Sequence, residues 1–192
     1  MSNYFRPVRT LYSRLRGPQN PDPVAPPLRI TDAEQREIRL RAYDDAALES
    51  LVTMYDTFDP AQRAQGTPPL GESGIRNWLD CILGGNDGDS NENCDAVSVV
   101  AWHDDRVVGH VAFVPDGVGR HELAIFVHQD YQRAGIGSKL LRSGLEYANQ
   151  RGVTKVWLTV ESWKGGVQKL YSDAGFTLDN PLGPTHRMSR YL

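Results

Sequence analysis

The stretch Leu123-Ala-Ile-Phe-Val-His-Gln-Asp-Tyr-Gln-Arg-Ala-Gly-Ile-Gly-Ser138 restricts the fold more than any other part of the chain. An apolar strand runs into a short polar loop. The loop delivers Gly135 and Gly137 to the start of a helix whose Leu140, Leu141, Leu145 and Ala148 share one face. The first N–H groups of a helix have no partner within the helix, and its dipole places partial positive charge at the same end. Together they make an anion site, which glycines leave open to close approach because they lack a Cβ.

Three phosphate-binding patterns compete for this loop. The Walker pattern GxxxxGK[ST] is excluded, because Gly137 is followed by Ser138 and only then by Lys139. The dinucleotide fingerprint GxGxxG fails at its third glycine, where Leu140 stands, and no βαβ unit leads into it. What remains is Gln132-Arg133-Ala134-Gly135-Ile136-Gly137, of the form Q/RxxGxG.

The other elements follow from periodicity and punctuation. Glu37 to Ala42 alternates as a strand, and Asp44 or Asp45 offers an N-cap to a helix carrying Leu48, Leu51, Val52, Tyr55 and Phe58. Asp59-Pro60 ends that helix. A second helix aligns Ile75, Trp78, Leu79 and Ile82 and stops at Gly84-Gly85, before a polar loop over 84–95. Val97 to Trp102 and Arg106 to Val114 read as an antiparallel pair turned by Asp104-Asp105. Arg120 to Val127 is nearly continuously apolar, which predicts burial on both faces. After the opening helix, which ends at Gly152, come a strand over Val153 to Val160 and a helix with Val167, Leu170, Tyr171 and Ala174 on one face. One or two strands close the chain. This order predicts an α/β fold with a central mixed sheet.

Composition sets the surroundings. With 192 residues, 40% hydrophobic and 23% charged, the chain suits one globular domain. Residues 1–30 read as a basic, proline-rich extension and 31–192 as the domain. Residues 1–29 carry a net charge of +4, and the whole chain −3, which leaves −7 on the remainder. That balance argues against a general nucleic-acid binder; the acidic remainder serves solubility, and it also suits a cationic substrate such as an amine. The aromatic and basic residues Tyr4, Phe5, Arg6, Arg9, Tyr12, Arg14 and Arg16 read either as an arm that packs on its own domain or on a second copy, as in a homodimer, or as a basic arm for a partner, a membrane surface or RNA, the first reading being favoured. Cys81 and Cys94 form neither a disulfide framework nor a metal motif. No apolar run reaches membrane-span length, and the expectation is a cytoplasmic protein with no membrane partner.

The segment from Glu122 to Phe176 resembles the core of the GCN5-related N-acetyltransferases (GNAT). An apolar strand, the Q/RxxGxG loop opening a helix, another strand, and Leu170-Tyr171-Ser-Asp-Ala-Gly175-Phe176, of the form LYxxxGF, occur in the family's order. The resemblance covers about residues 36–192. It implies an α/β, mostly antiparallel sheet splayed between the family's strands 4 and 5 and flanked by helices. Acetyl-CoA would lie in the gap as cosubstrate, with no metal. Its diphosphate would meet Gln132, Arg133, Ala134, Gly135, Ile136, Gly137 and Ser138. Its pantetheine would pair with backbone near Phe126 and Val127 in the manner of an added strand. Arg133 or Lys139 would add charge, unless solvated.

The implied reaction moves an acetyl group to a primary amine by direct transfer in a ternary complex. The acceptor must lose a proton and the departing thiolate gains from receiving one. An oxyanion donor near Val127 is also implied. Glu122 stands where many members place a carboxylate and is the candidate base. His121 is second, since neighbouring strand residues face opposite ways. Tyr171 is the candidate acid, its usual pKa near 10 keeping it protonated. Lys164 replaces an asparagine common in the family. The acceptor, a small molecule or a protein amine, would be met by Tyr55, Asp56, Phe58, Asp59, Trp78, Glu161 or Trp163. The alternative class is a non-catalytic acyl-CoA-binding regulatory module, which needs neither Glu122 nor Tyr171.

Overall fold

Alternation and amphipathic spacing fold into one eight-stranded sheet with helices on both faces. The computed structural model describes residues 25–63, 67–83, 96–180 and 183–192. The basic arm, most of the proline-rich linker, the 84–95 loop with Cys94, and Pro181 lie outside the described residues. The elements are β1 (Leu28–Thr31), β2 (Glu37–Ala42), α1 (Leu48–Asp56), α2 (Glu72–Leu83), β3 (Val97–His103), β4 (Arg106–Pro115), β5 (His121–Val127), α3 (Ile136–Gln150), β6 (Lys155–Glu161), α4 (Gly165–Asp173), β7 (Thr177–Asn180) and β8 (Thr185–Tyr191). The strand order is β1-β2-β3-β4-β5-β6-β8-β7, and every pair is antiparallel except β5–β6. An added first strand shifts the count, so the family's strands 4 and 5 are β5 and β6 here.

The sheet begins at Leu28, three residues before the expected boundary at Thr31. β1 pairs with β2 through Leu28↔Leu40 to Thr31↔Glu37, and a turn anchored by Asp32 joins them. Asp32 Oδ1 accepts from Glu34 and Arg36 N–H, and Oδ2 from Arg36 Nε at 2.7 Å. The predicted Asp44 N-cap forms differently: Asp44 precedes a short 3-10 turn and its side chain makes no capping bond.

The faces have separate cores. On one, α3 packs Leu140, Leu141 and Leu145 against Val99, Val111, Phe113, Leu158 and other strand residues. On the other, α1 and α2 pack Leu51, Tyr55, Ile75 and Leu79 over Val100, Val107 and Ala112. Gly144 sets the distance of α3 from the sheet, since a Cβ there would lie 2.7 Å from Val111 Cγ1 and 3.1 Å from Phe113 Cε2. Gly144→Val is therefore expected to cost about 3 kcal/mol through overpacking, measured as a lower chemical-denaturation midpoint.

β5 departs from its predicted double burial. Only Leu123 is buried, and Ala124 to Val127 are half-exposed. The reason lies in the pairing. β5 pairs with β4 along its whole length but with β6 only at His121↔Val156 and Glu122↔Trp157. Beyond these two pairs the strands diverge, so Ile125, Phe126 and Val127 line a gap while also packing against the cores.

Candidate active site

The divergence of β5 and β6 opens a cleft of about 700 Å³, bounded by β5, the loop before α3, the end of β6 and the start of α4. Polar backbone converges on it from two helix starts. At α3 the N-cap is Gly135, with φ of 82°, and among the described residues no side chain caps it. At α4 the N-cap is Lys164, also without a side-chain capping bond, followed by Gly165 and Gly166 on the cleft wall. The free N–H groups of both helices thus face one space.

The two glycines of the loop do different work. Gly135 supplies a left-handed conformation, which lets the loop turn into the helix. Gly137 has no such need, and a Cβ there would meet only Val127 Cγ2 at 3.7 Å. Its missing side chain leaves room in the cleft, which Gly137 lines. Ala134 and Ile136 are buried, so only their backbones can face a ligand, and the Ala134 carbonyl already accepts from Ala33 N–H at 3.0 Å. Arg133 and Ser138 are exposed. Gln132 lines the cleft and donates its side-chain amide to Val127 O at 3.0 Å, tying the loop to the end of β5. Lys139 turns away, donating Nζ to Thr31 O at 2.6 Å.

Side chains remote in sequence clamp this loop from both sides. Arg36 lies over the Tyr131 ring, 4.3 Å from its centroid, and donates to Asp130 O, while Tyr131 OH bonds His103 Nδ1. Gln129 donates to Thr57 O and accepts from Asp59 N–H at the end of α1. Gln129 and Arg36 went unnoticed in the sequence because glutamine and arginine at large separations carry no local signal.

Tyr171 lines the cleft and is 7% exposed. Burial pushes its phenol well up, and the carboxylate of Glu161 adds to the effect, so it holds its proton. Glu161 is itself buried on the cleft wall, with Lys164 Nζ at 3.4 Å. Lys164 is thereby engaged within the β6–α4 loop. Gln168 holds that loop by donating to Glu161 O and Ser162 O.

Glu122 occupies the apex of the gap, opposite Trp157, and is not among the residues that line the described cleft. Partial burial raises its carboxyl above the usual range, Arg187 draws it back, and Asp116 raises it further. His121 faces the other way and burial lowers it. Of the acceptor candidates, Phe58, Glu161 and Trp163 reach the cleft, Trp163 being 70% exposed. Tyr55 is buried with its OH 2.8 Å from His110 Nδ1, and burial brings His110 down to about 3. Trp78 and Phe126 stand edge-on to Tyr55 within the same aromatic cluster, where such pairs contribute about 0.5–1.5 kcal/mol each. Asp59 caps a short turn through Ala61 N–H, and Asp56 is exposed at the end of α1.

The model of the acetyltransferase (GNAT) family matches residues 50–176, and the chain belongs to that family. Solved structures share the fold. The GNAT domain of S. lividans PAT aligns with a TM-score of 0.69 at 18% identity, over 86% of this chain and 96% of that one. A ribosomal-protein-alanine N-acetyltransferase from Brucella melitensis aligns at 0.62 and 21%, over 80% and 99%. A putative acetyltransferase, yncA, from Salmonella typhimurium, solved with its cofactor acetyl-CoA, aligns at 0.60 and 18%, over 81% and 94%. No curated protein sequence matches the chain. Among the described residues no helix is long and apolar enough to cross a membrane.

Proposed function

We propose that the protein is an acetyl-CoA-dependent N-acetyltransferase that moves the acetyl group to a primary amine by direct transfer in a ternary complex. One observation carries the reading: a strand edge unpaired from Leu123 onward and two uncapped helix starts share a single cleft with a buried tyrosine. The fit to acetyl-CoA is chemical. The cleft-facing backbone of β5 near Phe126 and Val127, with the Val127 N–H, is open to an extended amide-bearing arm as in strand addition, while Val127 O is already held by Gln132. The N–H groups from Gly135 to Ser138 suit a diphosphate, with Gly137 leaving space for it. A smaller polar pocket of about 240 Å³ adjoins the cleft; Lys169 is paired there with Asp173 at 3.0 Å, which leaves Arg142 and Ser138 to meet a further phosphate.

When bound, acetyl-CoA supplies the acetyl group as an activated thioester. Tyr171 holds a proton at its phenol for the departing thiolate. The N–H near Val127 stabilises negative charge on the carbonyl oxygen. Glu122 takes the amine proton, through water, because it stands behind the cleft rather than in it. One observation favours a second base: Glu161 shares the cleft wall with Tyr171, and Glu122 does not.

Thiol release from acetyl-CoA across an amine panel tests the function, and CoA binding without any release would establish the non-catalytic module instead. Glu122→Gln is expected to lower kcat about a hundredfold with KM for acetyl-CoA unchanged, and to erase the acidic limb of the pH–rate profile. That limb lies above pH 4.5, because the carboxyl is raised and its ionised form is the active one. Should Glu161→Gln erase the limb and Glu122→Gln leave it, the base is Glu161.

A further inference from the structure

On the face of β6 and β8 away from α3, two cations have no carboxylate ion pair among the described residues: Lys155, which is taken up by the Tyr191 ring and hydroxyl, and Arg187. Val156, Leu158 and Val160 point into the α3 core, so Trp157, Thr159 and Glu161 point to the opposite face. Arg187 on β8 stands opposite Thr159 in the β6–β8 register. Its guanidinium carbon lies 4.0 Å from the centroid of the Trp157 ring. The indole is itself fixed, donating Nε1–H to Asp116 Oδ2 at 3.1 Å. Asp116 is fixed in turn. Burial alone would raise its carboxyl, but bonds from Val118 N–H, Arg120 N–H, Arg120 Nε and the indole hold it down at about 2. Three links therefore preset the plane of the Arg187 fork. Among the described residues no hydrogen bond or ion pair engages that fork, and Glu122 acts on it only at longer range. Arg187 is half-buried, which strengthens any charge it meets.

A stacked guanidinium with its edge donors free is arranged for a planar, two-oxygen partner. On this face it is one strand beyond the cleft, about 5 Å from Thr159, at ordinary strand spacing. The carboxylates of Glu122 and Glu161 lie on the cleft side of it. With Glu161 paired to Lys164, the face presents the Glu122 carboxylate at the gap and positive charge at Arg187, two strands away.

We propose that Arg187 reads a carboxylate carried by the acceptor, so that the substrate class is an amine with a carboxylate a few bonds away: a free amino acid or a peptide N-terminus beside an acidic residue. This rests on acetyl transfer in the neighbouring cleft, which identifies the amine end. The fork binds the carboxylate edge-on, and the amine is turned toward the β5–β6 gap.

Calorimetric titration of the CoA-saturated protein with matched pairs tests this. One arm compares β-alanine with propylamine, and the other compares Glu-Gly-amide with Gln-Gly-amide. The expected result is at least about tenfold tighter binding of the carboxylate member in one arm, which identifies the source, and loss of that preference in Arg187→Gln with CoA affinity unchanged. Equal binding within both pairs of the wild-type protein overturns the inference whatever the variant does. So does a preference that survives Arg187→Gln. Thiol release is read in parallel samples that hold acetyl-CoA in place of CoA. A carboxylate preference without release leaves Arg187 as the reader and refutes acetyl transfer, and release without preference refutes only the role of Arg187.

Discussion

Gly137→Leu is expected to fold like the parent protein and to lose CoA binding by at least about a hundredfold, or roughly 2.7 kcal/mol. The backbone at Gly137 is helical, so leucine is not strained there and gains about 1 kcal/mol of helix propensity over glycine. The nearest atom to its Cβ would be Val127 Cγ2 at 3.7 Å, an ordinary contact. The rest of the side chain then enters the cleft where the diphosphate is placed. Gly135 would be a poorer probe, because its φ of 82° makes any side chain costly to the fold itself. A thermal melt paired with a CoA titration reads both quantities. Unchanged CoA affinity in a folded Gly137→Leu protein would move the diphosphate away from this loop.

Tyr171→Phe is expected to lower kcat by about a hundredfold while KM for acetyl-CoA stays within twofold, the span usual for loss of a general acid. The substitution keeps the ring, which packs against Phe176 at 5.7 Å between centroids, so stability should change little. What it removes is the proton that burial and Glu161 hold on the phenol. Steady-state thiol release at several acetyl-CoA concentrations separates the two parameters. An unaltered kcat would make Tyr171 a packing residue of the α4 face and pass the protonation step to solvent.

Much of the site was legible because it is local in sequence. The glycine pair, the helix after it and the LYxxxGF stretch lie within one continuous run, and each reports a backbone need or a helical face. β1 was harder to see. Leu28-Arg-Ile-Thr31 is only four residues long and follows a proline-rich run, so alternation had no length over which to show. The exposure of β5 was hidden for a different reason. An apolar strand reads alike whether its residues meet a core or a ligand gap, and only the two-residue pairing with β6 tells them apart. The Arg36–Tyr131 and Gln129–Thr57 clamps join residues 95 and 72 positions apart, where no periodicity operates. In the sequence Lys139 is open between adding charge to the loop and being solvated; its reach to Thr31 O ties the loop to the first strand.

The incomplete pairing of β5 and β6 also bears on solubility. Most proteins shield their exposed strand edges with charge, proline or a bulge, because a bare edge recruits strands from other molecules. Here unpaired backbone lies in the middle of the sheet, with four strands on one side completing β5 and two on the other completing β6. The wedge is pinned shut at His121 and Glu122 and roofed at its mouth by α4 and Phe58. A folded neighbour cannot thread a strand between two strands already joined at one end, whereas a slender, flexible molecule can slide in lengthwise. The protein thereby keeps an adhesive edge permanently available to a small guest while denying it to its own kind.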